Sequence, residues 1–493
     1  MVVNMKKLLL TLIIFLSVCV SLSAKNDTYI YDFWESVQNS PDTYRVSSVL
    51  YADDLKLESQ LKNPSSIFCF DNLVFLVDTD NNRILEFTYN ENKTVQLNRI
   101  IESFNCEDPE VINTFNSPHD IFINQDKTMF VADTNNNRVV KLDFDLNYIM
   151  SFVEPDNVIY DKEKSFFPEK VVADRTGRLY VLAKNVNKGF VKYEADGSFT
   201  NFFGATKVTY NWTDYLWKKY FTTKAQREQM VAFVPTEYSN AYIDSEGFVY
   251  CVTKTFEEWD LRSGKAQPLI RLNALGDDIL IKEDEALPIG DLQFDQGAGI
   301  KGPSHFSDVT VLDNEVYLAM DETRGRIFAY NNQGNLLFAF GNKGNIDGYF
   351  RSPAALDHVG KDLFVVDSIN SSVTIFTPTE YGNLIYEATE YFNSGEYDKS
   401  AEAWKKVLEL NGNYDLAYLG LGKAAYRKEN YKEAMHYFKV KRYRRKYSKA
   451  FEYYRKEWVE QNLFKIVLVI LALILIPLIV KIVKRVKSEL ESL

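Results

Sequence analysis

The sequence predicts a mainly β chain: a six-bladed β-propeller, then a short array of helical hairpins, then one membrane-spanning helix. Three observations predict it. A proline-led strand–turn–strand frame recurs six times before residue 378. Beyond Pro378 the hydrophobic period changes from two to three or four. Finally, an apolar run of 21 residues stands from Leu463 to Val483. Alternation at period two marks strands, recurrence at three or four marks helices, and about 20 apolar residues span a bilayer core.

Composition sets the outer bounds. The 493 residues are 46% hydrophobic and 14% aromatic, enough for a large core and against disorder. Four cysteines are too few for a disulfide scaffold, and four histidines leave little for a His-built metal site. No metal and no cofactor are expected. Charge is uneven: residues 439–493 hold 14 basic and 5 acidic side chains, whereas residues 1–438 hold 43 and 63. An acidic body argues against nucleic acid as a partner.

The N-terminus carries Lys6 and Lys7, an apolar run from Leu8 to Leu16 and small residues from Ser21 to Ala24. This reads as a secretory signal over residues 1–24, with Ser23 or Ala24 the last residue removed. A retained N-terminal membrane helix is the alternative.

The repeated frame occupies residues 42–378. Its leading prolines are Pro64, Pro118, Pro168, Pro235, Pro303 and Pro353, spaced by 54, 50, 67, 68 and 50 residues. Each unit holds three or four short strand signals separated by turn residues, which is one propeller blade. The last unit lacks room for an outer strand, so residues near Tyr44 to Tyr51 are expected to supply it and close the ring. The two long intervals hold insertions, a helical one near residues 209–231 and an acidic one near 276–299.

The turns Asp78-Thr79-Asp80-Asn81-Asn82-Arg83 and Asp133-Thr134-Asn135-Asn136-Asn137-Arg138 resemble the NHL-repeat family. Weaker copies run from Asp321 to Arg326 and from Asp367 to Ser372. The resemblance covers roughly residues 60 to 377 and implies a propeller; it carries little about activity. These Asp, Asn and Arg side chains are expected to form turns and join blades.

In the first insertion Trp212, Leu216, Trp217, Tyr220 and Phe221 form an aromatic face. That face either packs on the propeller wall or docks a partner, with Trp212, Trp217 and Tyr220 as the candidate contacts. The second insertion holds Asp277, Asp278, Glu283, Asp284 and Glu285 without calcium-loop spacing.

Residues 380–460 read as helices. The segments from Asn383 and from Ala417 align at a 34-residue offset, pairing Tyr397 with Tyr431, Ser400 with Ala434 and Trp404 with Phe438. This resembles the tetratricopeptide repeat and implies a peptide or protein partner. A third helix, striped by Tyr443, Tyr447, Phe451, Tyr454 and Trp458, should cap the pair. Its other face is basic, with Lys441, Arg442, Arg444, Arg445 and Lys446 as partner-binding candidates. The span at 463–483 follows, then a tail at 484–493. With the signal, this gives a single-pass cell-membrane protein with its propeller and repeats outside. The basic residues ahead of the span run against the positive-inside rule, but long domains translocate regardless of charge.

Propeller sites sit in the central channel, where each inner strand begins. The positions there include Ser66, His119, Asp120, Glu169, Lys170, Glu237, His305, Asp308 and Arg351. All but Ser66 are the candidate ligand-binding set. No nucleophile elbow, zinc-protease, phosphate-loop or dinucleotide motif is present in the right context. Some NHL-type propellers are lyases holding zinc at Pro-His positions, which Pro118-His119 resembles, but three convergent histidines are not evident. The whole arrangement resembles Gram-positive surface proteins associated with carbohydrate ABC transporters. That resemblance implies a scaffold or accessory subunit that binds a protein partner, a sugar or a peptide and couples it to a membrane transport complex. The alternative is an extracellular propeller enzyme, a lyase or sugar-directed, with its site in the central funnel.

Overall fold

The computed structural model describes residues 27–491 apart from 33, 35, 158–159, 161–164, 185, 187–188, 205–237, 254–257, 263–265, 283–288 and 293–301. The expected signal and helical insertion therefore lie outside the described residues, as does most of the acidic loop.

Six antiparallel sheets form the propeller. Their inner strands are Pro64–Phe70, Pro118–Ile123, Pro168–Ala173, Tyr238–Ile243, Phe306–Val311 and Pro353–Val359. They head blades I to VI. Each inner strand carries the same irregularity: register shifts between its first and third residue, from Pro64/Ser66 round to Pro353/Ala355. A β-bulge re-aims the side chains that follow it, and here it turns the third residue of each strand to the channel. Proline suits the first position of an unpaired strand edge, because it has no N–H to lose. In blades IV and V that position holds Tyr238 and Phe306 instead. The prolines at 235 and 303 stand three residues earlier, which corrects the frame read from the sequence.

Between the second and third strands the Asp-Asn-Arg turns explain themselves. The Asp78 carboxylate accepts from Lys62 N at 2.7 Å, Asn81 Nδ2 at 2.8 Å and Arg83 Nε at 2.7 Å. Asp133 repeats the set with Asn116 N, Asn136 Nδ2 and Arg138 Nε. Asn82 and Asn137 take left-handed φ of 54° and 56° to end the turn, a conformation Asn tolerates. One buried carboxylate thus ties each turn to the segment entering its inner strand. Asp367 does the same with Arg351 N and Ser352 N.

The ring closes as expected. Tyr44–Leu50 pairs with Ser372–Pro378 as the outer strand of blade VI. An apolar layer joins blades VI and I, including Leu76 and Phe87 from one and Phe364 and Val366 from the other, all fully buried. A second tie has no counterpart in the sequence pattern. Tyr29–Tyr31 and Val37–Asn39 extend the outer edge of blade V. The Tyr29 hydroxyl donates to both oxygens of buried Asp291 at 2.8 and 2.9 Å, and the Tyr31 hydroxyl and Arg326 guanidinium also reach that carboxylate. Blade IV has three strands among the described residues.

A second unit comprises residues 32–36 and 387–493. Its helices include Tyr397–Leu410, Asp415–Arg427 and Tyr431–Val440, preceded by Glu380–Asn393, which begins in the first unit. The 34-residue offset has a packing reason. A Cβ on Gly420 would lie within 2.2 Å of the Trp404 ring, and one on Gly422 within 2.4 Å of the Phe438 ring. Ser400 Oγ donates to Ala388 O at 2.8 Å. The last helix, Arg444–Leu490, runs unbroken for 47 residues, about 70 Å at 1.5 Å per residue. Its apolar part reaches a mean hydropathy of 3.3 and is unburied, long and apolar enough to cross a membrane. The basic face is not one helix, because Lys441 to Tyr443 form a turn. The capping stripe is also shorter than expected. Tyr443 and Tyr447 pack against the helices, whereas Phe451 and Trp458 are exposed by 43% and 49%.

Asp291→Ala leaves the Arg326 guanidinium and two phenols without their buried acceptor. Breaking such a pair typically costs about 3–5 kcal/mol. Thermal melting of the full-length protein should show a large fall for Asp291→Ala. Lys93→Ala, which removes a partly exposed pair with Asp362, should cost under about 1 kcal/mol.

Candidate functional site

The repeated bulge sets a ring of equivalent side chains around the channel: Ser66, Asp120, Lys170, Asn240, Asp308 and Ala355. The first five line a cavity of about 230 Å³. Two residues further along each strand, period two returns to the same face. That second ring is Phe68, Phe122, Val172, Tyr242, Thr310 and Asp357, of which all but Thr310 line the cavity. The lining ends at the first turns of blades II to IV, with exposed Gln125, Arg175 and Ser245. The cavity therefore opens toward those turns, and the first ring is its floor. This is the opposite end from the one expected.

The floor is a hydrogen-bonded network. Ser66 Oγ donates to Asp120 Oδ1, and Asp120 Oδ2 accepts from Val171 N of the next blade at 2.8 Å. Lys170 Nζ stands 3.6 Å from Asp120 Oδ1. Asn240 Nδ2 donates to Asp308 Oδ1 at 2.5 Å, and Asp308 Oδ2 accepts from Leu356 N of blade VI at 2.7 Å. Asp357 accepts from Cys69 N of blade I at 2.7 Å and from Thr310 Oγ1 at 3.0 Å. Burial pushes the Asp308 carboxyl up to about 7, against the lowering pull of Lys170 and two backbone N–H groups. Burial also raises the Cys69 thiol well above its usual range. A buried thiol of this kind is a weak nucleophile at neutral pH.

Of the expected ligand set, Asp120, Lys170 and Asp308 meet at this floor. His119 and Glu169 precede Asp120 and Lys170 by one residue and do not line the cavity. Burial, with help from Lys170, holds the His119 imidazole below its usual range. His305 is half-buried, its N–H reaching Asp321 Oδ1 at 3.3 Å, and Arg351 is exposed. Neither lines the cavity. Glu237 lies outside the described residues. Asn240, Asp357, Phe122 and Tyr242 were missed. The signal for Asn240 was the strand alternation after Tyr238, which outranks a count from Pro235. Among the described residues no three metal-ligating side chains converge.

The partner-binding candidates divide similarly. Trp212, Trp217 and Tyr220 lie outside the described residues. Lys441 Nζ pairs with Asp415 at 2.6 Å, and the Arg442 guanidinium stands 5.8 Å from the centre of the Trp34 ring. Those two are occupied within their own unit. Arg444 and Arg445 are exposed and Lys446 half-buried.

The sequence matches no known protein family and no curated protein. Among solved structures it is similar to a streptogramin B lyase, at 10% identity and a TM-score of 0.39, over 67% of this chain and 98% of that one. It is similar to virginiamycin B lyase from Staphylococcus aureus at 10% and 0.37, over 68% and 99%. A gluconolactonase from Xanthomonas campestris aligns at 9% and 0.37, over 71% and 97%.

Asp308 also marks stability. An unfolded Asp loses its proton near pH 3.9, while folded Asp308 keeps it to about 7. The folded state therefore binds the extra proton between those values, and stability falls with rising pH through that window and levels above it. Urea midpoints from pH 4.5 to 8 should decline more steeply in the unmodified protein than in Asp308→Asn.

Proposed function

We propose that this chain is a membrane-anchored binding subunit. Its propeller cavity takes a small ligand with a polar head, and its helical unit couples the propeller to a membrane transport complex. The cavity carries the reading: it is concave, closed at one end by a polar network and walled by aromatic side chains, the general form of a small-molecule site. The long apolar helix supports the anchor. The secretory signal supports an outer-face location at the cell membrane. The resemblances to NHL and tetratricopeptide repeats, and to surface proteins associated with carbohydrate ABC transporters, support the coupling role. Exposed Arg444 and Arg445 offer the basic surface for it.

One observation favours a second reading, an enzyme of the central funnel. Asp308 titrates near neutrality beside Lys170, the range in which a carboxyl serves as general acid or base. Under that reading the cavity holds a substrate of a lyase or a sugar-directed activity. The three hydrogen bonds that Asp308 already accepts favour binding over catalysis.

The full-length protein, purified in mild detergent, should bring transporter subunits with it in stoichiometric amount. Arg444→Gln with Arg445→Gln should cut that recovery at least tenfold while leaving the melting temperature unchanged. A clean monomer from native membranes would sink the coupling role and leave the cavity as the whole function.

A further inference from the structure

We infer that the channel cavity binds a small monocarboxylate with an apolar or aromatic body, its carboxylate held at the floor by the Lys170 ammonium. The inference rests on the cavity being the ligand site and adds the chemistry of what fills it.

Hydrogen-bonding capacity makes the choice. Asp308 accepts from Asn240 Nδ2, Val309 N and Leu356 N, at 2.5, 2.8 and 2.7 Å. Asp120 accepts from Ser66 Oγ and Val171 N, and Asp357 from Cys69 N and Thr310 Oγ1. Each carboxylate is engaged in joining blades. Lys170 differs. Its side chain is only 12% exposed, and among the described residues its ion-pair neighbour is Asp120 at 3.6 Å, beyond hydrogen-bond reach. An ammonium has three donors and no acceptor, and those of Lys170 face the cavity. What the floor lacks is therefore an oxygen acceptor.

The remaining walls restrict the ligand's body. Phe68 and Phe122, with ring centres 5.2 Å apart, and Tyr242 surround the space above the floor with aromatic surface. The cavity, about 230 Å³, falls below the roughly 300–1,000 Å³ of drug-sized sites. Charge separates an acid from a polyol. Lys170 is the one cation at the floor among the described residues, and it shares its charge with Asp120 and Asp357, so it can hold one carboxylate and not two. A polyol would meet Lys170 with neutral oxygens, without the charge assistance that a carboxylate brings to the same hydrogen bond.

The same floor makes binding proton-linked. Lys170 and Asp120 act on Asp308 across the channel, Asn240 and Tyr242 come from blade IV, and Asp357 and His358 from blade VI. A bound anion favours the protonated carboxyl, so binding takes up a proton. Above about pH 7 Asp308 ionises, the floor gains a further negative charge, and affinity falls by up to about tenfold per pH unit.

Titration calorimetry on the full-length protein in detergent tests this, with benzoate, benzamide, benzyl alcohol and glucose as probes. The measurements run at pH 6 and pH 8, in two buffers of different ionisation heat. Benzoate should bind at least tenfold more tightly than the three neutral probes, with proton uptake and weaker binding at pH 8. Lys170→Met should lose tenfold or more, and Asp308→Asn should bind with a flat pH profile. Melting temperatures identify a variant that misfolds, and proton uptake by the unmodified protein needs no variant. Benzoate binding without proton uptake, or undiminished in a folded Lys170→Met, overturns the inference. Preference for glucose or benzyl alcohol, abolished by the cavity-filling Phe122→Trp, overturns the ligand class and retains the cavity as the site. Benzoate binding that survives Phe122→Trp, or no binding by any probe, overturns the cavity reading itself.

Discussion

The inner strand of every blade has a partner on one side only, and the rest of the propeller is arranged around that fact. Its other edge presents backbone groups to a narrow channel where water is scarce and unpaired groups are costly. Side chains from the neighbouring blade answer them. Asp120 takes Val171 N, Asp308 takes Leu356 N and Asp357 takes Cys69 N. The bulge found in all six inner strands aims the ring residues inward. The acids of the channel are thus first of all joints between blades. A channel rich in carboxylates is what this geometry requires before any ligand is considered.

The same economy governs the perimeter. A ring made from one chain must close where its ends meet, and here the N-terminal segment closes it twice. Tyr44–Leu50 completes blade VI, while Tyr29–Tyr31 reaches blade V and buried Asp291. The pairing of Tyr44 with Pro378 spans almost the whole propeller sequence. Loop-closure entropy makes such contacts late and unfavourable to initiate. Stability here therefore depends on strong terminal contacts: a full antiparallel ladder at one blade and a carboxylate joined by one guanidinium and two tyrosines at the other.

Much of the fold was legible because strand alternation and turn chemistry repeat. Asp78 and Asp133 could be assigned to turns from the repeated Asp-Asn-Arg motif and the family it resembles, and the closing strand from the missing room after Ser372. The site was legible most directly in blades where proline keeps phase with the bulge, although Asp308 of blade V was also among the expected residues. Counting two residues from Pro64, Pro118 and Pro168 lands on Ser66, Asp120 and Lys170. The same count from Pro235 and Pro303 lands on Glu237 and His305, because aromatic residues have taken the head position at Tyr238 and Phe306. The phase shift hid Asn240. Asp291 was illegible for a different reason: its partners lie some 260 residues away in the chain, and no local pattern announces such a pairing.

These two kinds of site differ in what the fold leaves unfinished. At Asp291 two hydroxyls and a guanidinium converge on one carboxylate, so the contact is complete as it stands. At the channel floor the carboxylates are also occupied, yet the cation among them is not. A structural lysine in a buried ring would be expected to donate to the nearest carboxylate at ordinary hydrogen-bond length. Lys170 instead stands off Asp120 at 3.6 Å, beside a protonatable Asp308 and below an aromatic wall. The acids hold the propeller together, and the group free to act on something else is the base they surround.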